Sequence, residues 1–153
     1  MDPVNPAESG PGLWPAAFGA WIKVAVVYQR GSRRFAALLR PIGLTVAQFD
    51  ALANLYVEDG ITQNQLAERL VVTKGNVTGL MNRLGDHGLV RRVADQVDRR
   101  ANRIHLTDEG RERAKRGLMI QRKLIDEMMG VLDSGERQSF RDLLTRVADE
   151  LES

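Results

Sequence analysis

Residues 62–84 read TQNQLAERLVVTKGNVTGLMNRL, and this stretch decides the fold. At a helical period Val77, Leu80, Met81 and Leu84 share one face, while Lys74, Gly75, Thr78, Gly79 and Asn82 share the opposite one. The first face is built to pack; the second is left for solvent or a partner. Thr73 has the identity of an N-cap, so this helix would open with unsatisfied N–H groups, the positive end of its dipole and the Lys74 ammonium. Such a terminus suits a phosphate. Upstream, Thr62 and Gln65 have capping-box spacing and open a short helix with Leu66, Ala67 and Leu70 inward. Two short helices joined around Val71 and Val72, with the small Ala67 ten positions before Val77, match the helix-turn-helix pattern. Gly75, Gly79 and Gly85 each weaken the second helix by about 1 kcal/mol relative to Ala, so packing or DNA must hold it.

Two alternating stretches follow, Gly88 to Val93 and Asn102 to Leu106, around a tip from Ala94 to Ala101 rich in Asp and Arg. They predict a hairpin. Directly behind a helix-turn-helix, a hairpin is a wing, and Arg91, Arg92, Arg99, Arg100 and Arg103 give it an electrostatic partner. Ile61 is expected to add one short strand to the wing sheet. The net charge of the chain is only +2, but residues 74–103 hold seven Lys or Arg against three Asp. A basic island on a mildly acidic body is the footprint of a DNA-binding surface.

Taken in order, Gln65-Leu-Ala, Val72 to Thr78, Arg83-Leu84, His87 to Arg92, Asp98 to Ala101 and Leu106 to Gly110 resemble the MarR family of bacterial transcription regulators. The resemblance covers nearly the whole chain. Its most specific part is the wing pattern Asp98, Arg100 and Arg103 followed by Leu106-Thr107. The sequence departs from the family at Val71, where relatives often have a turn glycine, at Asn82, where many have an Asp, and at Gly79, where some have a long DNA-contacting side chain. The resemblance implies a homodimer on double-stranded DNA, with Asp98 orienting Arg100 by a paired hydrogen bond. It also implies a small-molecule effector, an anionic aromatic, bound between dimerisation and reading lobes. Trp21, Tyr28 and Asp50 are the candidate lining of that site, with Arg30, Arg33 or Arg34 to counter an anion. The plain alternative is that an aromatic stripe at helical spacing is core.

The candidate DNA contacts are Thr73, Lys74, Asn76, Thr78, Asn82 and Arg83 on the second helix and Arg99 and Arg100 on the wing. Asn pairs bidentately with adenine, Lys and Arg with guanine, and Thr touches a thymine methyl. Arg99 and Arg100 are suited to a narrow minor groove. Against this stand a merely solvated polar face and, for Arg83, a bridge to an acid inside the lobe.

Outside this lobe, residues 1–15 hold four of the five prolines and are expected to form a flexible arm. A long helix is expected from about Ala16 to Arg40, ending before Pro41, with Trp21, Tyr28 and Phe35 every seven residues. Thr45 and Gln48 form another capping box, opening a helix with Phe49, Leu52, Ala53 and Tyr56 inward. Thr107 caps a helix reaching about Met129, and Asp133 with Glu136 caps a last one carrying Phe140, Leu143, Leu144, Val147 and Leu151. These apolar faces exceed what so small a reading lobe can cover, which predicts a homodimer through the first and last helices. The expected fold is mainly α with a small β wing: dimerisation helices at 16–44 and 107–153, and a winged helix-turn-helix at 45–106.

Composition excludes other classes. With no cysteine the chain has no disulfide, no thiolate metal site and no thiol redox switch, which sets it apart from the peroxide-sensing branch of the resembled family. His87 and His105 are isolated, so no metal or other cofactor is expected. No apolar run is long enough to span a membrane and no secretory signal opens the chain, so a cytoplasmic protein is expected. No acid, base or nucleophile cluster suggests an enzyme. The expected function is a sequence-specific transcriptional repressor on a pseudo-palindromic operator. The competing readings are an effector-independent architectural DNA binder and a winged-helix protein-interaction module.

Overall fold

The computed structural model describes residues 17–70, 74–96 and 102–152, with no side-chain description at residues 74–76. The expected arm at 1–15 lies outside the described residues, as do Thr73, Asp98, Arg99 and Arg100. Helix α1 spans Phe18–Leu39, and Pro41 converts its end into a short 3-10 turn, Arg40–Ile42. Then come α2 (Val46–Val57), β1 (Ile61–Thr62), α3 (Gln63–Arg69), α4 (Lys74–Asp86), β2 (Val90–Ala94), β3 (Asn102–Leu106), α5 (Asp108–Met129) and α6 (Ser134–Glu152).

Local hydrogen bonds start these helices where the side chains predict. Thr45 and Gln48 exchange side-chain and backbone bonds at 3.2 and 2.9 Å, and Thr62 and Gln65 do so at 3.2 and 2.8 Å. Asp133 and Glu136 repeat the arrangement at 2.9 and 2.8 Å before α6. The Thr107 hydroxyl accepts the Gly110 N–H at 3.0 Å and donates to the Gly88 carbonyl at 2.6 Å, so one residue both caps α5 and ties it to the start of the wing.

The sheet is antiparallel in the order β1-β3-β2, with Ile61 and Arg92 both opposite Ile104 and Val90 opposite Leu106. Val90, Ile104 and Leu106 turn into the core, whose other members include Leu39, Phe49, Leu52, Leu55, Leu66, Val77, Met81 and Leu84. Phe49 joins α1, α2 and α5. It meets Phe35 edge-on at 5.1 Å between ring centroids and lies so close to α5 that a Cβ on Gly117 would come within 2.4 Å of it.

One inward expectation fails. Tyr56 lies at the surface under the Arg111 guanidinium, 5.7 Å from its ring centroid, and Leu55 is the buried residue instead. The α2 face between α5 and the sheet is already filled by Phe49, Leu52 and Leu55, which leaves Tyr56 at the rim. Along α1 burial begins only at Phe35; Trp21, Val24, Val27 and Tyr28 are exposed. Helix α6 buries none of its residues in the single chain, and Phe140, Leu143, Leu144, Val147 and Leu151 all face outward. Among the described residues no single helix is long and apolar enough to cross a membrane.

Candidate nucleic-acid interface

Helix α4 divides as its period requires. Val77, Leu80, Met81 and Leu84 are buried, and Thr78, Asn82 and Arg83 are exposed on the other side. Lys74 and Asn76 sit in its first turn, their side chains outside the described residues. Helix α3 crosses close by, with Leu66 and Ala67 buried against the core. Two neighbouring elements hold the polar face. From α3, the Gln63 amide donates to the Thr78 hydroxyl at 2.9 Å. From β2, the Arg92 guanidinium donates to the Asn82 side-chain oxygen at 2.8 Å. Neither Gln63 nor the Arg92–Asn82 link is signalled by spacing, because each joins residues on different elements.

The wing separates its arginines by task. Arg103 Nε lies 2.5 Å from Asp95 Oδ2, whose side chain is only 5% exposed, and Arg103 Nη1 donates to the Gly60 carbonyl at 2.8 Å. Arg103 therefore braces the wing base internally instead of standing free for phosphate. Arg69 is likewise engaged, with Glu58 at 2.5 Å. Arg83 and Arg91 are exposed and have no ion pair among the described residues, so Arg83 does not bridge to an acid of the lobe there. Behind the sheet, Asp59 accepts the Leu106 N–H at 2.8 Å and pairs with His105 at 3.0 Å, locking the α2–β1 turn onto β3. Burial raises the Asp59 carboxyl, but that backbone bond, the His105 bond and charge, and the Arg111 charge together hold it below the ordinary carboxylate range.

A second feature lies on the other side of α2. A cleft of about 470 Å³ opens between α2, the end of α3 and α5, lined by Val46, Phe49, Asp50, Ala53, Leu70 and Gln121. Burial pushes the Asp50 carboxyl above its ordinary value. Trp21 and Tyr28, grouped with Asp50 by sequence, do not line this cleft; they stand 59% and 76% exposed on the outer half of α1. Arg34 pairs with Glu127 at 2.6 Å. Among the described residues no cluster of three His, Cys, Asp or Glu side chains could hold a metal ion.

Comparison with known proteins places this geometry. The family model described as "MarR family" matches residues 42–101, from the end of the 3-10 turn through β2 and up to the start of β3. The transcriptional regulator HosA of Escherichia coli is 30% identical over 104 residues, covering 68% of this chain and 77% of that protein. The HTH-type transcriptional regulator TtmR of Methylorubrum extorquens is 33% identical over 122 residues, 78% of this chain, which spans 60% of TtmR's length. Among solved structures, a mutant MarR of Escherichia coli in complex with operator DNA superposes with a TM-score of 0.78 at 26% identity, covering 89% of this chain and 98% of that one. Both relatives are transcriptional regulators.

Proposed function

Since the chain belongs to the MarR family of winged-helix transcriptional regulators, we propose that it acts as a homodimeric repressor on a pseudo-palindromic operator, released by a small-molecule effector. The observation that carries the reading is α4 itself. Four buried side chains fix the helix in the lobe, and Thr78, Asn82 and Arg83 are held outward beside a basic wing strand. Two such helices would enter successive major grooves about 34 Å apart, with the wing tips carrying Arg99 and Arg100 at the flanking minor grooves. A bound dimer represses by excluding polymerase from the promoter.

The dimer is supported by the outward apolar faces of α1 and α6. Fully burying a side chain such as Leu143 or Leu151 is worth about 1.5–3 kcal/mol, and one chain leaves several of them in water. Residues 16–44 and 107–153 then form the dimerisation lobe, and 45–106 the reading lobe.

The effector reading rests on the cleft beside Asp50. Its volume of about 470 Å³ suits a small organic molecule, and its position between α2, α3 and α5 lets an occupant change the angle between the lobes. The cleft is open, which favours an effector over a purely architectural DNA binder. Trp21 and Tyr28 would join the site only as part of the dimer face.

The test is selection of duplexes from a randomised pool, followed by fluorescence anisotropy at two salt concentrations. Enrichment of a palindrome with half-sites about ten base pairs apart supports the repressor. Weak, unselective binding removes direct DNA readout and leaves a protein partner as the occupant of the basic face.

A further inference from the structure

If α4 reads bases, the direction in which Asn82 offers its amide matters, and a contact from β2 sets it. We infer that Arg92 is a positioning residue that holds the Asn82 amide oxygen toward the wing, so that Asn82 leads toward DNA with its N–H donors and selects a keto group, guanine O6 or thymine O4, over the amino group of adenine. The inference rests on the DNA-binding reading above and deepens it.

A guanidinium has donors and no acceptor, so the atom of Asn82 that faces Arg92 must be Oδ1, as the 2.8 Å contact shows. The register explains why Arg92 is there. It lies opposite Ile104, two residues along β2 from Val90, and so shares the helix-facing side of the sheet with two buried residues. At that position the charged end of an arginine must leave the core, and its exit is the groove between α4 and β2. This groove, about 270 Å³, is bordered by Met81, Asn82, Gly85, Asp86 and Val90.

Bidentate recognition of adenine needs the oxygen and nitrogen of one amide side by side, the first toward N6 and the second toward N7. Oδ1 keeps a second lone pair, but its bond to Arg92 turns the oxygen toward β2 and fixes the amide plane, so the amide meets a base edge with its NH₂ group first. An NH₂ group set against the keto position is matched by guanine O6 or thymine O4 and meets a like donor in adenine N6; adenine N7 can accept from it, but without the paired bond that makes adenine recognition specific. Thr78, one turn earlier on the same face, is held alike: its oxygen accepts from Gln63 at 2.9 Å, which leaves its hydroxyl hydrogen to donate outward. Two elements, α3 and β2, thus give the exposed face of α4 a common donor character.

The experiment uses the full chain and the duplex selected by wild type, with each base placed in turn at each symmetric half-site position and affinities measured by competition. Asn82→Ala should flatten the preference at one position and so locate it. At that position wild type should favour guanine or thymine, and Arg92→Met should raise adenine relative to the preferred base by about tenfold, leaving other positions unchanged. Arg92→Lys, which can still donate, should keep the wild-type profile. The inference is overturned if Arg92→Met weakens every duplex equally with the profile intact, if wild type prefers adenine where Asn82→Ala flattens, or if Asn82→Ala flattens nothing. Both substituted side chains are exposed, and circular dichroism of the variants checks that each is folded. Unselective binding by wild type would defeat the DNA-binding reading itself; selective binding with an unmoved Arg92→Met profile defeats only the inference.

Discussion

Asp59 and His105 are paired across the junction between the α2–β1 turn and β3, Oδ2 to Nδ1 at 3.0 Å, while the second oxygen of Asp59 holds the Leu106 N–H at 2.8 Å. One carboxylate therefore fixes the base of the wing to the turn that follows α2.

Acid should loosen this joint. The Asp59 carboxyl is held below its ordinary value of 3.8 in the folded chain, so its contribution is fully present above that pH and is lost as pH falls through the lower folded value. Asp59→Asn should cost about 1 kcal/mol at neutral pH, and the difference from wild type should shrink below pH ~4. Urea midpoints measured between acid and neutral pH check this; a gap that does not narrow in acid would remove the carboxylate from the account.

Asp50 should behave with the opposite sign. Its folded value is raised, so the cost of ionising it is absent in acid, grows as pH rises through the carboxylate range and stays constant above. Asp50→Asn is expected to be more stable than wild type at pH 7, by under about 1 kcal/mol because the group is partly solvated, with no gain in acid. The same variant should alter the response to aromatic carboxylates or phenols in an operator-release assay. Unchanged release would move the effector away from this cleft.

The seam between α2 and α5 is tested at Gly117. An added methyl would fall 2.4 Å from Phe49 Cδ2, and Phe49 cannot turn away without disturbing its edge contact with Phe35. Gly117→Ala should cost about 1–3 kcal/mol despite the gain in helix propensity on α5. Denaturant unfolding gives the number, and a stabilised variant would mean that α2 and α5 sit farther apart in solution.

Dimerisation is tested on α6. Leu143→Glu combined with Val147→Glu places two charges on a face that the single chain leaves in water, so monomer folding should be little affected. Light scattering should show wild type at twice the chain mass and the double variant at once the chain mass, with operator binding weakened by loss of the second half-site. A variant that stays dimeric would place the interface elsewhere.

What the sequence by itself determined is what short-range spacing can encode. The caps at Thr45, Thr62, Thr107 and Asp133 each bond a backbone group three residues on, and the packed face of α4 repeats at the helical period. The hairpin follows from alternation in β2 and β3, and the basic island from counting. Tertiary structure alone decided which charges are spent inside the molecule. Arg103 and Arg92 look like Arg91 in the sequence, yet one braces Asp95 and Gly60, one holds Asn82 from another element, and Arg91 is exposed and makes no such contact among the described residues. Tyr56 and Leu55 differ by one position, and the packing of α2 against α5 and the sheet chose between them. The reason is range. A cap is a bond between near neighbours whose geometry the helix supplies, whereas a guanidinium accepts any carboxylate, carbonyl or phosphate that folding brings within reach, and the chain order does not say which arrives.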